Sequence, residues 1–181
     1  MAQASADDAD TQTPLEALQE LFQDLDETDR QLAQESLFIG LAQSSFKQTL
    51  EQGDFLIRNL VGVDPKVGAI AIADRIRPGQ RIRFHLRDAH TAQEDLEALL
   101  KAYRLDNQDR IAPPGALLFA CNGRGTSLFD VPNCDTEQFT HQLGPVPLGG
   151  FFCNGEIGPV GKTTFLHGFT SVFCICRELD E

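Results

Sequence analysis

One short phrase occurs twice in the chain and limits the folds open to it. Residues 119–124 read Phe119-Ala120-Cys121-Asn122-Gly123-Arg124, and residues 151–156 read Phe151-Phe152-Cys153-Asn154-Gly155-Glu156. Each copy is an apolar run ending in Cys and then Asn-Gly. The residue that follows is charged, with opposite sign in the two copies. Asn and Gly tolerate positive φ, so Asn-Gly after an extended run reads as a strand end and a turn. Two such strands ending side by side deliver Cys121, Arg124, Cys153 and Glu156 to one rim. That rim is a candidate site. The competing reading is a repeated strand-turn device whose cysteines pack in the core.

The 181 residues suffice for one domain with a core. The formal net charge of −12 argues against a nucleic-acid partner, which favours a basic patch, and against an anionic membrane surface. No apolar run approaches the roughly 20 residues of a membrane helix, so no membrane insertion is expected. Met1 to Thr13 is small, polar and acidic and lacks the features of a signal peptide. It reads as a disordered lead-in, and a cytoplasmic location with reduced thiols is expected. Five cysteines without a C-x-x-C motif fit packing residues better than a metal centre, and no metal site is expected. Cys174 and Cys176 would share one strand face.

Thr13-Pro14-Leu15-Glu16 carries a capping box, and Leu15, Leu18, Leu21, Phe22 and Leu25 follow helical spacing. A second helix is expected from about Thr28 to Ser36, and Leu37 to Leu41 opens a strand. Phe55–Val63, Gly68–Ala73 and Arg81–Arg87 read as a three-stranded meander. Thr91-Ala92-Gln93-Glu94 reads as a second capping box. Ala116–Cys121 is a strand too apolar to be solvated on either face. Asp135 caps a short helix that Gly144 ends. Val146–Cys153 and Phe165–Cys176 read as two final strands. The expected fold is α+β, a mixed, largely antiparallel sheet with helices packed on one face, in one domain over 14–178.

Four constellations bear on chemistry. On the rim, Arg124 and Glu156 either pair with each other or present opposite charges to a zwitterion such as an amino acid. Gly123, Gly125, Gly149, Gly150, Gly155 and Gly158 allow close backbone approach. Cys121 or Cys153 with His167 and Glu156 would make a thiol enzyme, the least favoured reading. Arg81, Arg83, His85 and Arg87 alternate on one strand face, either as an anion site or as a solvated face. His85, His90, His141 and His167 are available to haem, although no C-x-x-C-H is present. Gly158-Pro159-Val160-Gly161-Lys162-Thr163 has the wrong spacing for a phosphate loop.

Leu117-Leu118-Phe119-Ala120-Cys121-Asn122-Gly123-Arg124-Gly125 resembles the first signature of the FIST C-terminal domain, from the F-box and intracellular signal transduction proteins. Val146 to Pro159, with its Gly150-Phe151-Phe152-Cys153-Asn154-Gly155-Glu156-Ile157-Gly158-Pro159 string, resembles the second. Leu166-His167-Gly168-Phe169-Thr170 resembles the closing His-x-x-Thr element, and Asp54 to Arg58 also fits. The resemblance implies a non-enzymatic sensory module that binds a small polar ligand, such as an amino acid or related metabolite, and acts through protein partners. It implies a site drawn from Cys121, Asn122, Gly123, Arg124, Gly150, Gly155, Glu156, His167, Thr170 and Arg58, with no obligatory cofactor. Haem sensing nitric oxide and protein docking are alternatives in the same family. Family members carry a FIST N-terminal domain ahead of this one, so that domain or another chain is an expected partner.

Overall fold

A computed structural model of the chain describes residues 12–44, 46–51, 53–160 and 163–178. The expected lead-in lies outside the described residues up to position 11. The described chain divides between Leu86 and Arg87 into two compact units.

In the first unit the capping box forms as the sequence predicts. Glu16 N–H donates to Thr13 Oγ1 at 3.3 Å, and Thr13 N–H donates to Glu16 Oε2 at 2.8 Å, opening α1 (Pro14–Asp24). Asp26 caps α2 (Glu27–Ser36) by accepting from Asp29 N–H. The strands are β1 (Leu37–Ala42), β2 (Phe55–Asp64), β3 (Ala69–Ile72) and β4 (Ile82–Leu86), in the antiparallel order β3-β2-β1-β4. The expected meander is therefore corrected: β4 pairs with β1, Leu41 facing Ile82 and Leu37 facing Leu86, and not with β3. The reason is burial. Phe38 to Ala42 are buried without alternation, which requires a neighbour on each edge of β1. Residues 73–81 carry the chain past β2 to that second edge.

The basic face on β4 is occupied within the first unit. Arg81 donates to the carbonyls of Ser44, Lys47 and Gln48, and Arg83 lies 4.7 Å over the Phe55 ring. His85 meets the same ring edge-on at 4.9 Å. A Cβ on Gly40 would collide with the His85 imidazole, so glycine there makes room for the ring.

The second unit opens with α3 (Ala89–Asp106). Its cap is Asp88, not Thr91: the Asp88 carboxylate accepts from Thr91 N–H at 2.8 Å and from its hydroxyl at 2.6 Å. Sequence alone places the start three residues late because Thr91-x-x-Glu94 also has the capping spacing. β5 (Ala116–Cys121) then runs through a 3-10 turn (Asn122–Arg124) into α4 (Thr126–Phe129) and α5 (Cys134–Leu143). β6 (Leu148–Cys153), β7 (Glu156–Val160), β8 (Thr163–His167) and β9 (Ser171–Ile175) follow. β5 pairs parallel with β6 and antiparallel with β9, and β7 and β8 form a separate hairpin. Two expected strands are thus four. The long run Phe165–Cys176 breaks at Gly168-Phe169-Thr170, where Phe169 takes a left-handed φ of 62°.

The core of this unit is Leu96, Leu100, Ala116, Phe139 and Val146. Phe139 is fully buried and stacks on Phe173 with centroids 5.2 Å apart. α3 and α5 thereby cover one face of the β6-β5-β9 sheet. The class is α+β with antiparallel pairing dominant, as the sequence predicts, and among the described residues the strands are distributed over three sheets.

Candidate functional site

The two Asn-Gly turns meet. Because β5 and β6 run parallel and in register, Cys121 faces Cys153, and both strands end at the same level. Asn122 Nδ2 donates to Asn154 Oδ1 at 2.6 Å, tying the turns together. The rim is real, but its charged residues do not face each other.

Arg124 turns inward and is 7% exposed. Its guanidinium makes a bidentate pair with Asp135, Nε to Oδ2 at 2.9 Å and Nη2 to Oδ1 at 2.6 Å, and lies 5.3 Å over the Phe129 ring. Asp135 is therefore the partner of Arg124 rather than a helix cap. Asn133 holds the cap position of α5 in a left-handed conformation without a side-chain bond.

Glu156, 1% exposed, collects donors from three segments. Thr170 donates from its hydroxyl at 2.9 Å and its N–H at 3.4 Å to Oε2. Gly155 N–H at 3.2 Å and the Cys153 thiol at 3.4 Å donate to Oε1. A buried carboxylate is tolerable when its lone pairs are filled in this way. Burial raises the Cys153 thiol above its ordinary pKa, helped by the hydrogen bond to Glu156 and its charge. This holds the sulfur protonated, the opposite of nucleophile activation. His167 is the register partner of Glu156, but its Nε2 bonds the Gly158 carbonyl at 2.9 Å, so no Cys-His-Glu relay forms.

Gly123 sits beneath Phe169: a Cβ there would stand 2.8 Å from the ring. Arg87 lies 4.6 Å over the same ring and donates to the Gly123 carbonyl at 2.8 Å. Burial and the nearby Arg124 lower the Arg87 pKa. The turn that puts Phe169 on Gly123 also puts Thr170 on Glu156, so it ties both signature turns. Arg58 belongs to the first unit, where it pairs with Asp74 at 2.6 Å.

Beside the rim is a cavity of about 580 Å³ between β5–β6 and α4–α5. Arg124, Asp135, Asn122, Thr126, Ser127 and Asn133 form its polar wall, and Leu118, Leu148, Phe151 and Phe152 its apolar one. Gly150 lines it as well. A Cβ on Gly150 would collide with the Leu118 carbonyl oxygen of β5, so the residue has to be glycine. Of the expected site residues, Asn122, Arg124 and Gly150 line the cavity. Cys121, Gly155, Glu156, His167 and Thr170 are absent from its lining. The sequence reading misses Thr126 and Ser127 and gives Asp135 only as a helix cap. The one available signal was that an inward-turning Arg needs an acid nearby.

A model of the FIST C domain matches residues 14–159. The chain belongs to the FIST C domain family. Two mycobacterial proteins described as uncharacterised, one of Mycobacterium bovis and one of Mycobacterium tuberculosis, are each 40% identical over 158 residues. The match covers 87% of this chain and 40% of either relative. An F-box/LRR-repeat protein of Arabidopsis thaliana is 30% identical over 115 residues, 55% of this chain and 22% of that protein. This FIST C chain therefore shares a signal-transduction-associated domain with relatives more than twice the length of the matched region. Among its described residues no helix is long and apolar enough to cross a membrane.

The four histidines of the FIST C chain lie on four different elements. His85 is on β4 and His167 on β8, each engaged as above. His90 lies in the first turn of α3, 3.4 Å from Glu94, and His141 in the last turn of α5. Cys174 and Cys176 are exposed.

Proposed function

We propose that this chain is a sensory module that binds a small polar metabolite, an amino acid or a related zwitterion, in the cavity beside the rim and acts through protein partners. The observation that carries this reading is the cavity's composition. One wall holds a buried Arg124–Asp135 pair with the hydroxyls of Thr126 and Ser127, and the other is built of Leu148, Phe151 and Phe152. A volume of about 580 Å³ is within the range of small-molecule sites, which combine apolar walls with a few placed polar groups.

The zwitterion expected between Arg124 and Glu156 is reassigned. Glu156 is spent on Thr170, Gly155 and Cys153, so the charge pair offered to a ligand is Arg124 with Asp135. An amino acid would set its ionic end against that pair and its side chain against the phenylalanines.

The test is thermal unfolding against a panel of amino acids and their derivatives. A true ligand at 100 times its dissociation constant stabilises by about 2.7 kcal/mol, and Phe152→Ala removes that gain. A panel in which no compound raises Tm overturns the reading.

A further inference from the structure

Strand β6 is the outer strand of the order β6-β5-β9, and Gly149, Gly150, Phe151 and Phe152 are all exposed. An outer strand leaves alternate N–H and C=O groups pointing away from its sheet, a template for another extended chain. Natural edges are usually blunted by charge, proline or a bulge. Leu148–Asn154 has no charged residue and no proline, and it pairs with β5 without a register shift. Phe151 is 62% and Phe152 60% exposed. Exposed Leu117 lies beside Gly149, exposed Leu166 beside Gly155, and exposed Ile157 is the register partner of Leu166. These side chains make the edge an apolar strip, with Gly149 and Phe151 turned to one face and Leu148 and Phe152 to the other.

We propose that β6 pairs antiparallel with β6 of a second copy of this chain, about a two-fold axis at Gly150. An axis normal to the sheet keeps each face on its own side, so same-face residues meet. Centred on Gly150, Phe151 meets Gly149 of the second copy, and Phe152 meets Leu148 of the second copy, each twice by symmetry. A ring opposite a glycine fills space that a second large side chain would contest. At the axis, Gly150 meets itself with no side chain on either strand. An unrelated extended peptide would satisfy the backbone ladder but lacks this fixed order of two glycines and two rings.

Charge and area set the strength. The chain carries −12 overall and the strip carries none, so the copies repel everywhere except at the proposed contact, and salt strengthens it. Each ring leaves on the order of 100–150 Å² to cover. With the flanking leucines and isoleucine the strip falls short of the roughly 800 Å² per partner of a stable complex. The dimer is accordingly weak and concentration-dependent.

Light scattering on the full chain from roughly micromolar to millimolar concentration tests this. The expected mass rises from one chain to two, at lower concentration in high salt. Phe151→Lys abolishes the rise while circular dichroism stays as in the wild type, and Tm falls only by the lost edge contact with Phe119. In the wild type, amide exchange in β6 slows as concentration rises; in Phe151→Lys it does not. A monomer at every concentration overturns the proposal, whether or not it takes up an extended peptide. So does a dimer whose β6 amides exchange at the monomer's rate.

Discussion

Asn122 donates a 2.6 Å hydrogen bond to Asn154, joining two turns 32 residues apart in the chain. The bond exists because the strands feeding those turns are parallel and in register, with Cys121 facing Cys153. Immediately past it the copies diverge. Arg124 goes to Asp135 in the first turn of α5, and Glu156 goes to Thr170 before β9. One sequence phrase used twice thus anchors two different segments.

Glu156 is the more demanding anchor. Glu156→Ala leaves the Thr170 and Gly155 donors unfilled in a part-buried site. The expected loss is about 2–4 kcal/mol in urea unfolding, since hydrogen bonds to a charged group are worth roughly 1.5–3 kcal/mol each. Thr170→Val is expected to cost about 1–2 kcal/mol by the same reasoning. Variants within a few tenths of the wild type would remove the anchor from the account.

The Arg124–Asp135 pair predicts strong non-additivity. Arg124→Met or Asp135→Leu alone strands a buried charge, at about 3–5 kcal/mol. The double variant is expected to recover most of that, and a double-mutant cycle by denaturant unfolding reads the coupling. Additive losses would mean that the two side chains act independently.

Cys153 is predicted to alkylate more slowly than exposed Cys174 at neutral pH, because burial and the Glu156 carboxylate keep the thiol protonated. Glu156→Gln removes the charge and should speed the reaction at Cys153. Iodoacetamide labelling followed by peptide mass spectrometry gives both rates. Faster labelling at Cys153 than at Cys174 would restore the thiol-enzyme reading.

His85 supplies a pH dependence. Burial and the neighbouring Arg83 lower its pKa below the ordinary 6.5. The unfolded chain therefore binds more protons than the folded one as pH falls, so stability is intact above about pH 6.5 and is lost below it. Tm measured from pH 8 to pH 5 should fall through that window, and His85→Gln should flatten the fall. An unchanged slope in His85→Gln would assign the effect to other groups.

The two glycines of β6 are not equivalent. A Cβ on Gly150 would strike the backbone of β5, whereas one on Gly149 would meet only Leu117 Cδ2 at 3.9 Å. Gly150→Ala is expected to destabilise by more than about 2 kcal/mol and Gly149→Ala by under 1 kcal/mol. Equal effects in chemical unfolding would mean that the two strands are not as closely set.

What the chain revealed in advance follows from how local each signal is. The strand ends at Cys121 and Cys153, the Thr13–Glu16 cap and the Gly144 helix end depend on neighbours within a few residues, and each forms where expected. The positive φ of an Asn-Gly turn occurs only in the second copy, at Gly155, whereas Asn122-Gly123 opens a 3-10 helix. The placement of β4 beside β1 depends on which strand is buried on both edges, which alternation within β4 does not encode. Asp135 reads as a cap because its position near a helix start is a local signal, while its bond to Arg124 is a tertiary one. Thr170 was named only through the family's His-x-x-Thr element. Its partner Glu156 is 14 residues away and visible only in the fold.

The central claim is that the cavity beside the rim receives the ligand. Amide chemical-shift mapping of the isotope-labelled chain, titrated with the amino acid that most raises Tm, tests it directly. The account predicts saturable shifts concentrated at Asn122, Gly125, Thr126, Ser127 and Gly150, and little change in β1–β4. Shifts centred on β1–β4, or none at any rim or cavity residue at saturating ligand, would contradict it.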